Sequence, residues 1–186
     1  MLIQAGDVRK GNILEYKDSL WNVIDVQEAF VGKRGKYAQV KMKNLEDGHI
    51  ETQRFATSEK IEKAHVDTRR LTYLYEDAAG YVFMKPDTGA QHILDPDLLG
   101  DQRDFLSYNM ELDIVFYGER AVGVQMPPSV VLEVTRAEPA VKGNTATSVS
   151  RPVDLETGLT IKAPAHIGEG DRVRVDTRSR EFLGRE

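Results

Sequence analysis

The sequence predicts an all-β fold of three small β-barrel modules, and three observations carry that expectation. Apolar and polar residues alternate with period two along short runs. Turn residues separate these runs by only a few positions, with no long helical stretch between them. The chain has 186 residues, long for one barrel and short for two ordinary domains, which suits two or three small modules.

Along the first module, Leu20–Val26, Tyr37–Met42 and Ile50–Phe55 each alternate as strands. Lys17-Asp18-Ser19 and Glu46-Asp47-Gly48-His49 supply turns. A second cluster, Arg70–Tyr75 and Tyr81–Met84, flanks Glu76-Asp77-Ala78-Ala79-Gly80. A helix is predicted over Pro96–Leu106, with Asp95 as N-cap and Pro96 at the first helical position. Gly100 weakens that helix from inside. Strands return at Leu112–Tyr117, Ala121–Val124 and Val130–Val134, with Met126-Pro127-Pro128 marking a change of module. Residues 139–152 are rich in Pro, Gly, Ser and Thr and predict a long loop. Leu159–Lys162, Arg172–Val175 and Glu181–Leu183 read as shorter strands. The expected modules are therefore 1–65, 66–127 and 128–186, the last two OB-like.

Composition excludes several chemistries. There is no cysteine, hence no disulfide, thiolate metal site or Cys nucleophile. The opening MLIQAGDVRKGN carries an early acid and no apolar core, so no signal peptide is expected. No apolar run approaches a membrane span. A cytoplasmic protein without membrane contact is expected. Charge is uneven: residues 1–65 hold 11 Lys+Arg against 10 Asp+Glu, residues 66–127 hold 5 against 11, and residues 128–186 hold 9 of each. An acidic middle argues against a continuous basic groove that would coat a nucleic-acid strand.

The sharpest feature is Gly32-Lys33-Arg34-Gly35-Lys36, between two predicted strands and so at a hairpin tip. Two glycines permit positive φ and close backbone approach. Three cations in four residues repel one another into solvent, where they can neutralise phosphates. On these residues alone, a solvated basic turn and a phosphate-binding tip both stay open. Other candidates carry less. His49, His65, His92 and His166 lack metal-ligand spacing, so no metal is expected. Asp95, Asp97, Asp101 and Asp104 fit a capped, solvated helix better than a catalytic carboxylate pair. Glycine-rich phosphate loops and nucleophile elbows are missing. Tyr73, Tyr75 and Tyr81 suit core packing more than base stacking.

Trp21 to Gly32, Lys33, the basic strand and the turn Asn44-Leu45-Glu46-Asp47-Gly48 have the spacing of the first domain of elongation factor P. Leu71-Thr72-Tyr73-Leu74-Tyr75 with Tyr81-Val82-Phe83-Met84, Pro127-Pro128, Leu155-Glu156-Thr157-Gly158 and Val175-Asp176-Thr177-Arg178-Ser179 also match. The chain thus resembles that family over essentially its whole length. The resemblance implies an elongated, L-shaped, monomeric protein with a KOW/SH3-like first domain and two OB-fold domains. It implies a non-enzymatic factor without cofactor. It implies binding to the ribosome (rRNA and ribosomal proteins) between the P and E sites beside peptidyl-tRNA, and rescue of polyproline stalling. Lys33 is then the tip residue reaching the peptidyl-transferase centre and the target of a modifying enzyme. Gly32, Arg34, Gly35 and Lys36 contact tRNA or rRNA, while Gly143, Asn144, Thr145, Phe182 and Arg185 face E-site mRNA or the small subunit.

The chain departs from the family pattern in places. Val31 stands where proline is frequent, and Arg34 follows the tip residue where glycine is common. A lysyl-type extension, another amine-linked group and no modification therefore all stay open. Gly143-Asn144-Thr145 replaces Gly-Asp-Thr, losing a charge, and Phe182 stands for a frequent tyrosine. These departures also suit a paralogue of the main factor. The alternative classes are an off-ribosome, single-stranded RNA-binding OB protein and an enzyme with a carboxylate pair in the second module.

Overall fold

The computed structural model describes residues 1–30, 32, 35–139 and 150–186. Its strands form three antiparallel sheets of six, five and five strands. In chain order the first sheet holds β1 (Leu2–Gln4), β2 (Ile13–Tyr16), β3 (Ser19–Phe30), β4 (Lys36–Asn44), β5 (Ile50–Ala56) and β6 (Lys60–Lys63). The second holds β7 (Asp67–Asp77), β8 (Gly80–Met84), β9 (Gln91–Leu94), β10 (Glu111–Tyr117) and β11 (Arg120–Gln125). The third holds β12 (Ser129–Ala137), β13 (Ser150–Leu155), β14 (Thr160–Pro164), β15 (Arg172–Asp176) and β16 (Phe182–Arg185). Between β9 and β10 lie α1 (Pro96–Leu99) and a 3-10 helix, Gly100–Phe105. Among the described residues no helix is long and apolar enough to cross a membrane.

Two compact units result. The first comprises Met1–Arg69 with Val115–Gly123. Its inward face is the apolar half of each alternating strand: Leu14, Trp21, Val23, Ala38, Val40, Met42 and Phe55. Trp21 satisfies its buried indole N–H on the Tyr16 carbonyl at 2.8 Å. Tyr16 in turn packs edge-on against Trp21 and Phe55. A satellite cluster of Ile13, Ala64 and Val122 takes in Val115 from β10.

The second unit comprises Arg70–Ile114 with Val124–Glu186. Its largest core holds Leu132, Val153, Ile161, Val173 and Val175 from β12 to β15, together with Phe105 from the 3-10 helix. Arg70 grips Asp113 with two hydrogen bonds, Nε to Oδ1 at 2.9 Å and Nη2 to Oδ2 at 3.2 Å. This fork holds the Asp113 carboxyl below its ordinary range.

The predicted helix is shorter than expected. Asp95 does cap it, its Oδ1 accepting from the Asp97 N–H at 2.8 Å, and Pro96 does begin it. But Gly100 adopts φ +50, which ends the α-helix at Leu99, and the chain continues in 3-10 form to Phe105. Ser150, Arg151 and Pro152, expected in a loop, already pair with β14 at Pro164, Ala163 and Lys162. The rest of that loop, 140–149, lies outside the described residues.

Two turns make checkable demands. Gly80 sits at φ +140, and a Cβ there would lie 2.4 Å from the Leu94 carbonyl oxygen on β9. Backbone cannot yield as a side-chain end can, so Gly80→Ala is expected to cost about 2–3 kcal/mol, read as a lower denaturant midpoint at unchanged m. In the β15–β16 turn, Asp176 Oδ1 accepts from the N–H groups of Arg178 and Ser179, each at 2.8 Å. These bonds favour the carboxylate and hold its pKa below the usual range. A depressed folded pKa stabilises above the unfolded carboxylate range and is lost as pH falls through the folded value. Asp176→Ala should therefore melt below wild type at neutral pH, with the gap narrowing in acid.

Candidate functional site: a basic hairpin and its outer face

β3 and β4 pair without a break in partner strand from Trp21↔Asn44 to Phe30↔Lys36, with a register shift between Val23 and Asp25. The base of this hairpin is anchored by core residues. Its far end is not: Phe30, the last residue of β3, is 70% exposed. The pairing thus carries the strands past their own hydrophobic core. Gly32 and Gly35 follow at φ +41 and +88, with open space where a Cβ would be. Positive φ, not crowding, is what calls for glycine at both. Val31, Lys33 and Arg34 lie outside the described residues. Lys36, exposed at the start of β4, has its carbonyl braced by the N–H and hydroxyl of Thr57, each at 3.3 Å.

The other end of β4 is closed by the Asn44–Gly48 turn. The buried Asn44 accepts from the Glu46 N–H on its Oδ1 at 2.7 Å, and its carbonyl accepts from Gly48 N–H at 3.1 Å. Gly48 takes φ +74. An asparagine at the first position and a glycine at the last are what this turn requires.

Residues alternating with the buried Ala38, Val40 and Met42 form the hairpin's outer face: Tyr37, Gln39, Lys41 and Lys43. β5 adds Arg54, whose guanidinium carbon lies 5.2 Å from the Tyr37 ring centroid. Asp25 opposes Lys41 in register, yet its carboxylate accepts from Gln27 Nε2 at 3.2 Å. Among the described residues, Lys36, Lys41, Lys43 and Arg54 make no ion pair. Several cations elsewhere are committed, as in Lys17–Glu51 at 2.8 Å, Arg69–Glu119 at 3.3 Å and Arg180–Asp104 at 3.0 Å. The outer face therefore presents positive charges without an ion pair among the described residues, suited to successive phosphates. The sequence pointed to Lys36 but not to Tyr37, Lys41, Lys43 or Arg54. The signal was present in the alternation: every second residue of a strand whose other face is buried must share one surface.

The remaining candidates fall elsewhere. Gly143, Asn144 and Thr145 lie outside the described residues. Phe182 is partly buried against the third module's core. Arg185 Nη2 sits 2.9 Å from Asp171 Oδ1. Tyr81 is buried, and Tyr73 packs against it and against Phe83 at ring distances of 6.2 and 5.3 Å. Burial pushes both phenols upward in pKa. Only Tyr75 of the three tyrosines stands well exposed.

The aspartates of α1 do not converge: Asp95 caps the helix and Asp104 faces Arg180. A cleft of about 660 Å³ is lined by Glu15, Lys17, Glu46, Glu62, Tyr117 and Arg120. Its groups serve one another, Tyr117 donating to Glu15 at 3.2 Å and Arg120 to the Leu45 carbonyl at 2.9 Å.

Family comparisons accord with this architecture. Three family models match in chain order: the elongation factor P KOW-like domain over residues 4–61, the elongation factor P OB domain over 66–124, and elongation factor P, C-terminal, over 130–185. A protein named elongation factor P from Acidithiobacillus ferrooxidans is 43% identical over 185 residues, covering 100% of both chains. Another of that name from Erythrobacter litoralis is 40% identical, over 100% of this chain and 99% of its own. One from Coprothermobacter proteolyticus is 39% identical over 99% of each. With three domain models in register along one all-β chain and full-length relatives at this identity, the chain belongs to the elongation factor P family of translation factors.

Proposed function

We propose that the chain binds the ribosome between the P and E sites and promotes peptide-bond formation at stalled polyproline sequences by positioning peptidyl-tRNA. The observation that carries this is the basic hairpin, which ends at the exposed Phe30 and whose Lys36, Lys41 and Lys43 make no ion pair among the described residues. Proline is a rigid, constrained reactant. A factor that holds peptidyl-tRNA in reactive geometry recovers rate by removing alignment entropy, and needs no acid or base of its own. In this reading the protein acts as a monomer and not as an enzyme, and it works wherever ribosomes work.

Lys33 is the residue that reaches toward the peptidyl-transferase centre, and its amine is the handle for a modifying enzyme. Gly32, Arg34, Gly35 and Lys36 meet tRNA or rRNA phosphates. The outer face of β4 and β5, with Lys41, Lys43 and Arg54, extends that contact. Gly143, Asn144, Thr145, Phe182 and Arg185 face the small-subunit side. The working domains are residues 1–65, 66–127 and 128–186.

Ribosome-dependent synthesis of a reporter with and without a Pro-Pro-Pro stretch tests the reading. Protein purified from its native host should speed only the proline reporter. Lys33→Ala should lose that rescue while keeping the wild-type melting temperature, because a solvated tip adds little stability. Rescue equal to wild type would remove Lys33 from its assigned role. If neither reporter responds and the protein binds free single-stranded RNA tightly, the off-ribosome reading takes over. Arg54→Ala tests the outer face: the slope of log affinity for RNA against log salt should fall by about one. An unchanged slope would confine the contact to the tip.

A further inference from the structure

Arg180 stands in the β15–β16 turn with φ +61. Glycine occupies that backbone region at little cost, whereas a side-chain-bearing residue is strained there. The turn does not need the arginine side chain to close. Asp176 caps it through the Arg178 and Ser179 N–H groups, and the Arg180 N–H donates to the Asp176 carbonyl at 2.9 Å. The Arg180 side chain leaves its own sheet. Nη1 donates to Asp104 Oδ2 at 3.0 Å and Nη2 to the Asp101 carbonyl at 3.2 Å. The guanidinium carbon lies 5.5 Å from the Phe105 ring centroid.

All three partners belong to the 3-10 helix that follows α1, outside the third sheet. Phe105 is 1% exposed and packs within the core formed by Leu132, Val173 and Val175. The neighbouring Thr177 ties the same turn to the chain entering β12. Its N–H donates to the Pro128 carbonyl at 3.0 Å, and its hydroxyl lies 2.6 Å from the Pro127 carbonyl oxygen. An unfavourable backbone conformation is thus kept at a residue whose side chain bridges two modules. Strain that persists where the surroundings over-determine it points to a role.

We propose that Arg180 is a positioning residue that clamps the β15–β16 turn to the Gly100–Phe105 segment, so that the second and third modules meet the ribosome as one preorganised body. This rests on the ribosome-binding reading above. Freedom between two modules that must both dock is lost on binding, and removing it beforehand raises affinity. The clamp touches no reacting group, so it alters the concentration needed and leaves the maximal rate of rescue unchanged. The planar fork of arginine serves a carboxylate, a carbonyl and a ring together, whereas the point charge of lysine cannot.

The test uses the full chain as wild type, Arg180→Gly and Arg180→Lys. Arg180→Gly relieves the backbone and so should fold. The chain has no cysteine, so Ala78→Cys and Lys162→Cys give unique spin-label sites in the two modules. Double electron–electron resonance should show a narrow distance distribution for wild type and broader ones for both variants. Polyproline rescue should need about three- to tenfold more of either variant for half-maximal effect, at the same maximal rate. Equal distance widths in all three proteins would overturn the clamp. Broadened distances with an unchanged half-maximal concentration would overturn the positioning role. Failure of wild type to rescue at all would overturn the ribosome reading and the positioning role with it, while the distance measurement still judges the clamp.

Discussion

Pairing between β3 and β4 runs from a buried tryptophan at one end to an exposed phenylalanine at the other. Between Trp21↔Asn44 and Phe30↔Lys36 the two strands pass from a packed barrel wall to an exposed end, where β4 still pairs with β5 at Tyr37↔Ala56. A two-stranded ribbon is marginal by itself in water. Here it is extended from a six-stranded sheet, so the register set by Trp21, Val23, Val40 and Met42 is transmitted outward. A one-residue slip would turn Tyr37, Lys41 and Lys43 into the core. The chemistry of the tip and of the outer face therefore depends on burial at the other end of the same strands.

Charge is arranged on the same logic. The chain carries a net −5, yet Lys36, Lys41 and Lys43 stand together on β4 and make no ion pair among the described residues. Arg69, Arg70 and Arg185 stand in ion pairs with Glu119, Asp113 and Asp171. Lys41 makes no ion pair among the described residues although Asp25 opposes it in register, and Gln27 donates to that carboxylate. Arg54 is oriented by an aromatic face, which steers a guanidinium without neutralising it.

The second unit solves a different problem, that of small barrels with small cores. A domain of some 60 residues buries too little surface to be robust alone. The core around Leu132 and Val173 borrows Phe105 from the preceding module, and Arg180 covers that ring from the solvent side. The acidic stretch after β9 accordingly has structural occupations: Asp95 caps α1 and Asp104 faces a cation. Sequence spacing alone leaves such a cluster looking like candidate chemistry.

Much was legible in the chain. Period-two alternation set the longer strands, glycines and Asx residues set the turns, and the order of motifs along the chain pointed to the family. The short strands β1, β2, β6 and β9 were not, because three or four residues carry too little periodicity to stand out from loop. The predicted helix overran because the left-handed φ of Gly100 is a tertiary outcome. The positive φ of Gly32 and Gly35 was legible because two glycines stand close together between alternating runs. The outer face was not, because Tyr37 and Arg54 are 17 positions apart and meet only through the β4–β5 register. Arg180 reads in sequence as one more surface cation, and only folding brings it to Asp104, 76 positions away. Local pattern thus determined which residues form the longer strands and their turns. Which charges stay free and which are consumed was decided by the tertiary structure, since an ion pair depends on distance in space and leaves no mark in the spacing of the chain.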